Sequence, residues 1–183
     1  MASASGRRFT IAFSYAGEDR PQVAPLAEAL AARLGRDRVL YDRFHEAEFT
    51  RIGLNVYLPR LYRDESELIV VVLSPDYPRK KWCGLEFRWI RELLDTPASE
   101  RIMLLSLGQP GDFSELGILS GDSYLEISQR PVAEVVERIC ERLALQGVTL
   151  PQQLPPQPGV QQEVDMEPAP SRWRRWFSGP HRR

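Results

Sequence analysis

Glu67-Leu-Ile-Val-Val-Val-Leu73 decides the fold. Its apolar residues run without alternation, as a strand requires when both of its faces are covered, and such strands belong to parallel sheets. Outward from it, short apolar runs alternate with helical patterns across residues 8–147. Phe9-Thr-Ile-Ala-Phe-Ser14 reads as a first strand. Val23, Leu26, Leu30 and Leu34 then form one stripe of an amphipathic helix that Gly35 ends. Arg38–Tyr41 predicts a short second strand. After it comes a loop from Asp42 to about Asn55, then a short helix carrying Val56, Leu58 and Leu61, with Pro59 inside it.

Beyond the third strand, Lys81 to Leu94 predicts a helix with Cys83, Phe87, Ile90 and Leu94 on one face. Arg101–Leu107 reads as a fourth strand and Ser123–Ile127 as a fifth. Pro131 suits the first turn of a last helix, whose core stripe is Val132, Val135, Val136, Ile139 and Leu143. Five strands alternating with helices predict an α/β fold, a parallel sheet covered on both faces and joined by right-handed crossovers. Ligands of such sheets bind beyond the carboxyl ends of the strands, near the point where strand order reverses. Ser14–Arg20, Asp42–Asn55 and Ser74–Trp82 occupy those positions.

Composition narrows the function. The chain has 183 residues, 43% hydrophobic and 27% charged, and a formal charge of −1, which argues against a nucleic-acid binder. Residues 171–183 hold five arginines and no acid, so the 19 basic and 25 acidic residues of 1–170 leave that part at −6. Two cysteines and two histidines make neither a disulfide framework nor a ligand cluster, so no metal site is expected and a reducing compartment fits. Met1–Arg8 lacks the apolar stretch of a signal peptide. The longest apolar run, Leu68–Leu73, is far short of the about 20 residues of a membrane span. A cytoplasmic location follows as the expectation.

Proline marks a boundary, because seven of the 15 prolines fall in residues 151–183. Residues 8–147 are expected to form one domain, and 148–183 a Pro-rich, disordered tail with a basic and aromatic end. Within that end, Ser171-Arg-Trp-Arg-Arg-Trp-Phe177 interleaves aromatics with arginines, a pattern that could hold an anionic membrane surface or a protein groove, although a soluble disordered end is the leading reading.

Several chemistries are excluded by their missing motifs. There is neither a Gly-rich phosphate loop followed by Lys-Ser/Thr nor a G-x-G-x-x-G turn. A phosphoacceptor receiver domain would need an aspartate ending the third strand and a lysine after a later one. The sequence offers Leu73-Ser74-Pro75 and Ser106-Leu107-Gly108. No G-x-S-x-G is present, and Cys83 and His45 read as a buried structural thiol and a solvated imidazole.

Lys80-Lys81-Trp82-Cys83-Gly84-Leu85-Glu86-Phe87-Arg88-Trp89-Ile90 is more informative. Helical spacing sets Glu86 beside the apolar stripe, with Trp82 one turn before it and Trp89 just under one turn after. Judged by spacing alone, the leading reading of Glu86 is a solvated glutamate at the edge of an amphipathic helix.

Phe9-Thr-Ile-Ala-Phe-Ser-Tyr-Ala-Gly-Glu-Asp-Arg20 resembles the first signature of the Toll/interleukin-1 receptor (TIR) domain, a strand followed by S-Y/F-x-G-E-D. Asn55–Tyr62, Leu73-Ser74-Pro75 and Lys81-Trp82-Cys83-x-x-Glu86 resemble its middle. The resemblance spans about residues 8–145. It implies a flavodoxin-like five-stranded parallel sheet of order 2-1-3-4-5 and, as in many TIR domains, cleavage of NAD+ as a substrate with no separate cofactor. The family's catalytic glutamate, four residues after a tryptophan, carries over to Glu86. The Ser14–Asp19 and Asp42–Gly53 loops would line the cleft, giving Ser14, Tyr15, Ala16, Gly17, Asp42, Phe44, Gly53, Ser74 and Trp82 as substrate-binding candidates. Homotypic TIR–TIR self-association is implied as the activating partnership, in a defence or signalling role such as anti-phage immunity.

On the residues alone, Tyr15 also reads as a strand-end aromatic, Asp42 as a turn residue, and Ser74-Pro75 as the end of the third strand. The second-strand loop lacks the proline that receptor and adaptor members often carry, which points away from a receptor-type adaptor. Twenty-two arginines against two lysines suggest a GC-rich, bacterial source. A non-catalytic interaction module stands as the alternative reading.

Overall fold

Strand β3 (Ser66–Leu73) is buried along its whole length and sits in the middle of the sheet. The computed structural model describes residues 6–77, 90–94, 96–108, 113–114, 117–118 and 121–150. Around β3 lie β1 (Phe9–Tyr15), β2 (Val39–Leu40), β4 (Ile102–Ser106) and β5 (Leu125–Glu126). Every pairing is parallel and the order is β2-β1-β3-β4-β5. This is the flavodoxin-like arrangement expected, with its reversal point between β1 and β3. β1 registers Phe13 on Val70 and Tyr15 on Val72.

The two-residue period of a strand sorts β3 between two cores. Leu68, Val70 and Val72 face α1 (Arg20–Leu34) and the last helix, together with Val23, Leu26, Leu30, Ile139 and Leu143. Ile69, Val71 and Leu73 face the opposite layer, with Leu58, Leu61 and Tyr62 of α3 (Leu54–Glu65), and with Ile90 and Leu93. Full burial of one such aliphatic side chain contributes about 1.5–3 kcal/mol, so β3 alone anchors both layers. Gly35 ends α1 at φ +94°, where an added Cβ would come within 2.9 Å of Asp37 Oδ1.

Some elements differ from the sequence expectation. The stretch expected to be a loop from Asp42 to Asn55 contains a 3-10 turn (Asp42–Phe44) and a short helix, α2 (Glu46–Phe49). Helix α3 runs for 12 residues through Pro59. Val56 is exposed on this helix, because the buried face is Leu58, Leu61 and Tyr62. The last helix, α4 (Val132–Leu145), leaves Val132 exposed in its first turn and buries Cys140 between Ile139 and Leu143. The edge strands β2 and β5 are each trimmed to two residues.

Residues 90–94 are helical and Ile90 is buried, as the apolar face expected for the helix from Lys81 to Leu94 requires. The rest of that predicted helix, including Cys83, Glu86 and Phe87, lies outside the described residues, as does the tail from 151 onward. Val148 and Leu150 still pack against the α1/α4 core. No helix among the described residues is long and apolar enough to cross a membrane.

Candidate active site

The carboxyl ends of β1 and β2 open into a cleft lined by Tyr15, Gly17, Arg20, Asp42, Arg43 and Glu46 at its mouth. Phe49, Leu54, Leu58 and Tyr62 form its apolar wall. Chain reversal after each strand brings these residues together. β1 passes through the 3-10 turn Gly17–Asp19 directly into α1, which starts at Arg20. β2 passes through Asp42–Phe44 into α2. The Tyr62 hydroxyl donates to the Phe13 carbonyl over 2.9 Å, fastening α3 to β1 beneath the cleft.

The mouth is organised by one carboxylate. Tyr15 donates its hydroxyl to Asp42 Oδ1 at 2.7 Å, and Arg20 Nη2 donates to Asp42 Oδ2 at 2.6 Å. The Arg20 guanidinium also lies over the Tyr15 ring, 5.9 Å from its centroid. Tyr15 also stacks on Tyr41 at 6.0 Å. Burial, with the Asp42 charge adding to it, holds the Tyr15 phenol far above its ordinary range, so it remains a donor at any physiological pH. Arg43 Nη1 pairs with Glu46 at 2.7 Å on the more exposed rim. The cleft holds about 660 Å³ of empty space, its opening to solvent included.

A second polar group lies at the reversal point itself. Ser74 Oγ donates to Asp19 Oδ2 at 2.5 Å, and Ser14 Oγ lies 2.7 Å from the Tyr77 hydroxyl. All four residues are buried. Burial raises the Asp19 carboxyl above its ordinary range; the Ser74 hydrogen bond opposes the shift, and the Asp76 and Glu18 charges reinforce it.

Of the sequence-derived candidates, the fold brings Tyr15, Gly17 and Asp42 together at the cleft. It sets Ser14 and Ser74 in the buried network just described. Ala16 is buried in the α3-side core. Phe44 packs edge-on to Tyr41 at 5.0 Å, beneath the Arg36 guanidinium, on the α1 side of the sheet. Gly53 caps α3 at φ +77° in the exposed turn beyond the cleft. Trp82 and Glu86 lie outside the described residues.

Arg20 and Arg43 are not among the substrate-binding candidates of the sequence, although Arg20 closes its first signature. His45 corrects another reading. Its ring is largely covered by Phe9 and Phe49, with Nε2 3.0 Å from the Val39 carbonyl, so it is a packed residue and not a solvated one. No group of His, Cys, Asp or Glu among the described residues is placed to hold a metal ion.

The chain is 28% identical over 136 residues to the 3' cyclic ADP-D-ribose synthase AaTIR of Aquimarina amphilecti. That match covers 74% of this chain and 40% of the relative, so the chain spans well under half the relative's length. Among solved structures, the TIR domain of the Toll-related receptor TRR-2 from Hydra magnipapillata is similar at TM-score 0.46 and 19% identity, covering 73% of this chain and 96% of that one. The family model of the TIR domain matches residues 11–140, from the middle of β1 to the last turns of α4. With the strand order, the two cleft-forming loops and that match in agreement, the chain belongs to the TIR domain family.

Proposed function

We propose that this TIR domain cleaves the nicotinamide–ribose bond of NAD+, releasing nicotinamide with ADP-ribose or a cyclised form of it, in a defence or signalling role. The observation that carries the reading is the match, over three quarters of this chain, to a relative named as a cyclic ADP-ribose synthase. The cleft at the carboxyl ends of β1 and β2 supports it, since Tyr15, Gly17 and Asp42 meet there.

The chemistry asks little of the protein. Nicotinamide is cationic while bonded to ribose and departs neutral, so no general acid need protonate it. An oxocarbenium-like ribose forms, and a nearby carboxylate stabilises it, as in glycoside hydrolysis. Glu86 is the proposed carboxylate, on its place four residues after Trp82 in the sequence. Tyr15 and its Asp42 partner supply a rigid aromatic wall that excludes water.

The activity is proposed to depend on self-association. Ile52 is fully exposed at the tip of the turn between α2 and α3, with Val56 exposed one turn away. These two residues are the proposed contact surface. The same observation favours the second reading, a non-catalytic TIR interaction module. Incubating concentrated protein with NAD+ and resolving nicotinamide, ADP-ribose and cyclic products by chromatography separates the two. Product formation supports the enzyme, and unchanged NAD+ with assembled protein supports the module.

A further inference from the structure

We infer that Arg20 is the diphosphate-binding residue of this cleft, aimed by Asp42; the inference rests on the NAD+ reading above. A dinucleotide carries two phosphate charges between its riboses. These charges call for a cation in the polar part of the cleft lining, which Arg20, Asp42, Arg43 and Glu46 supply. The cations among the described lining residues there are Arg20 and Arg43.

The two differ in how firmly they are held. Arg43 pairs with Glu46 three residues along, and both side chains are more than two-fifths exposed, so this pair is loose. Arg20 is about one-fifth exposed, bonded to Asp42 at 2.6 Å and packed over the Tyr15 ring. A guanidinium fixed in this way keeps a planar fork in one orientation, and phosphate oxygens match that fork in pairs. Asp42 accordingly acts through its neighbours. Its two oxygens hold Tyr15 and Arg20 in place, which makes it a positioning residue.

The test compares two substrates that share the scissile bond. NAD+ carries the diphosphate and nicotinamide riboside does not. Arg20→Gln should raise KM for NAD+ about tenfold or more, as loss of a charge-assisted hydrogen bond does. It should leave kcat within about threefold and change nicotinamide riboside cleavage little. Equal losses on both substrates, or none on either, would overturn the assignment.

Calorimetric titration with ADP decides the matter without turnover. Wild-type protein should bind ADP and Arg20→Gln should bind it about tenfold or more weakly; no binding, or equal binding by both, contradicts the inference. This arm holds even where wild type cleaves neither substrate, a result that removes the NAD+ reading alone. Should Arg20→Gln fail to fold, Arg20→Lys keeps a cation beside Asp42 but loses the fork. It should still weaken ADP binding, and full-strength binding by it counts against the inference.

Discussion

Ser74 Oγ donates to Asp19 Oδ2 across 2.5 Å, so the residue that follows β3 is fastened to the turn that follows β1. Ser14 and Tyr77 repeat the connection 2.7 Å apart. Together they hold both sides of the reversal point, immediately before the segment that carries Trp82 and Glu86. Removing the donor by Ser74→Ala leaves a buried carboxylate short of a partner and should cost about 1–3 kcal/mol in chemical denaturation.

Asp19 has a pH signature of its own. Burial raises its folded-state carboxyl above the ordinary value, so its charged form is penalised near neutrality. Lowering the pH through the folded titration relieves that penalty. Asp19→Asn keeps an acceptor for Ser74 and removes the charge. It should be more stable than wild type at pH 7, with the advantage shrinking as pH falls; an advantage that grows on acidification would reverse the sign.

Glu48 titrates in the opposite sense. Hydrogen bonds from Arg8, both at 2.6 Å, together with one from Tyr57, hold its carboxyl down at about 2. That stabilisation is complete above the ordinary glutamate value of about 4.3 and is lost as pH falls toward about 2. The Arg8 side chain is 41% exposed, so solvent screening leaves about 1 kcal/mol. Glu48→Gln should lose this amount at pH 7 and show a flatter acid-denaturation curve between pH 4.5 and 2. A curve parallel to wild type would show that the contact carries no weight.

Ile52 tests the assembly. Because it is fully exposed, Ile52→Asp should change folding stability by no more than about 0.5 kcal/mol. NAD+ turnover per molecule should rise with wild-type concentration and stay low and flat for the variant. Equal concentration dependence in both would place the self-association surface elsewhere.

The sheet was legible because β3 spells out its environment: an unbroken apolar run over Leu68–Leu73 admits a strand covered on both sides and little else. The edge strands carry less pattern, and pairing on one side alone leaves β2 and β5 at two residues each. Val132 was misread because it sits in the first turn of a helix, where one apolar residue does not fix the buried face. His45 was misread because its burial depends on Phe9, which is 36 positions away in sequence and 5.2 Å away in space. At the site, the motif pointed to Tyr15 and Asp42, yet their hydrogen bond to each other and the capture of Arg20 arise only when two loops meet.

Nicotinamide release by concentrated protein measures the central claim most directly, with wild type, Glu86→Ala and Glu86→Gln compared at equal concentration. If a carboxylate stabilises the ribose cation, wild type releases nicotinamide and both variants fall by about 10²–10³ in kcat, with KM changing little. Glu86→Gln should be nearly as impaired as Glu86→Ala, since the charge and not the shape does the work. Release at the wild-type rate by both variants would contradict the assignment, and no release by assembled wild type would contradict the enzyme itself.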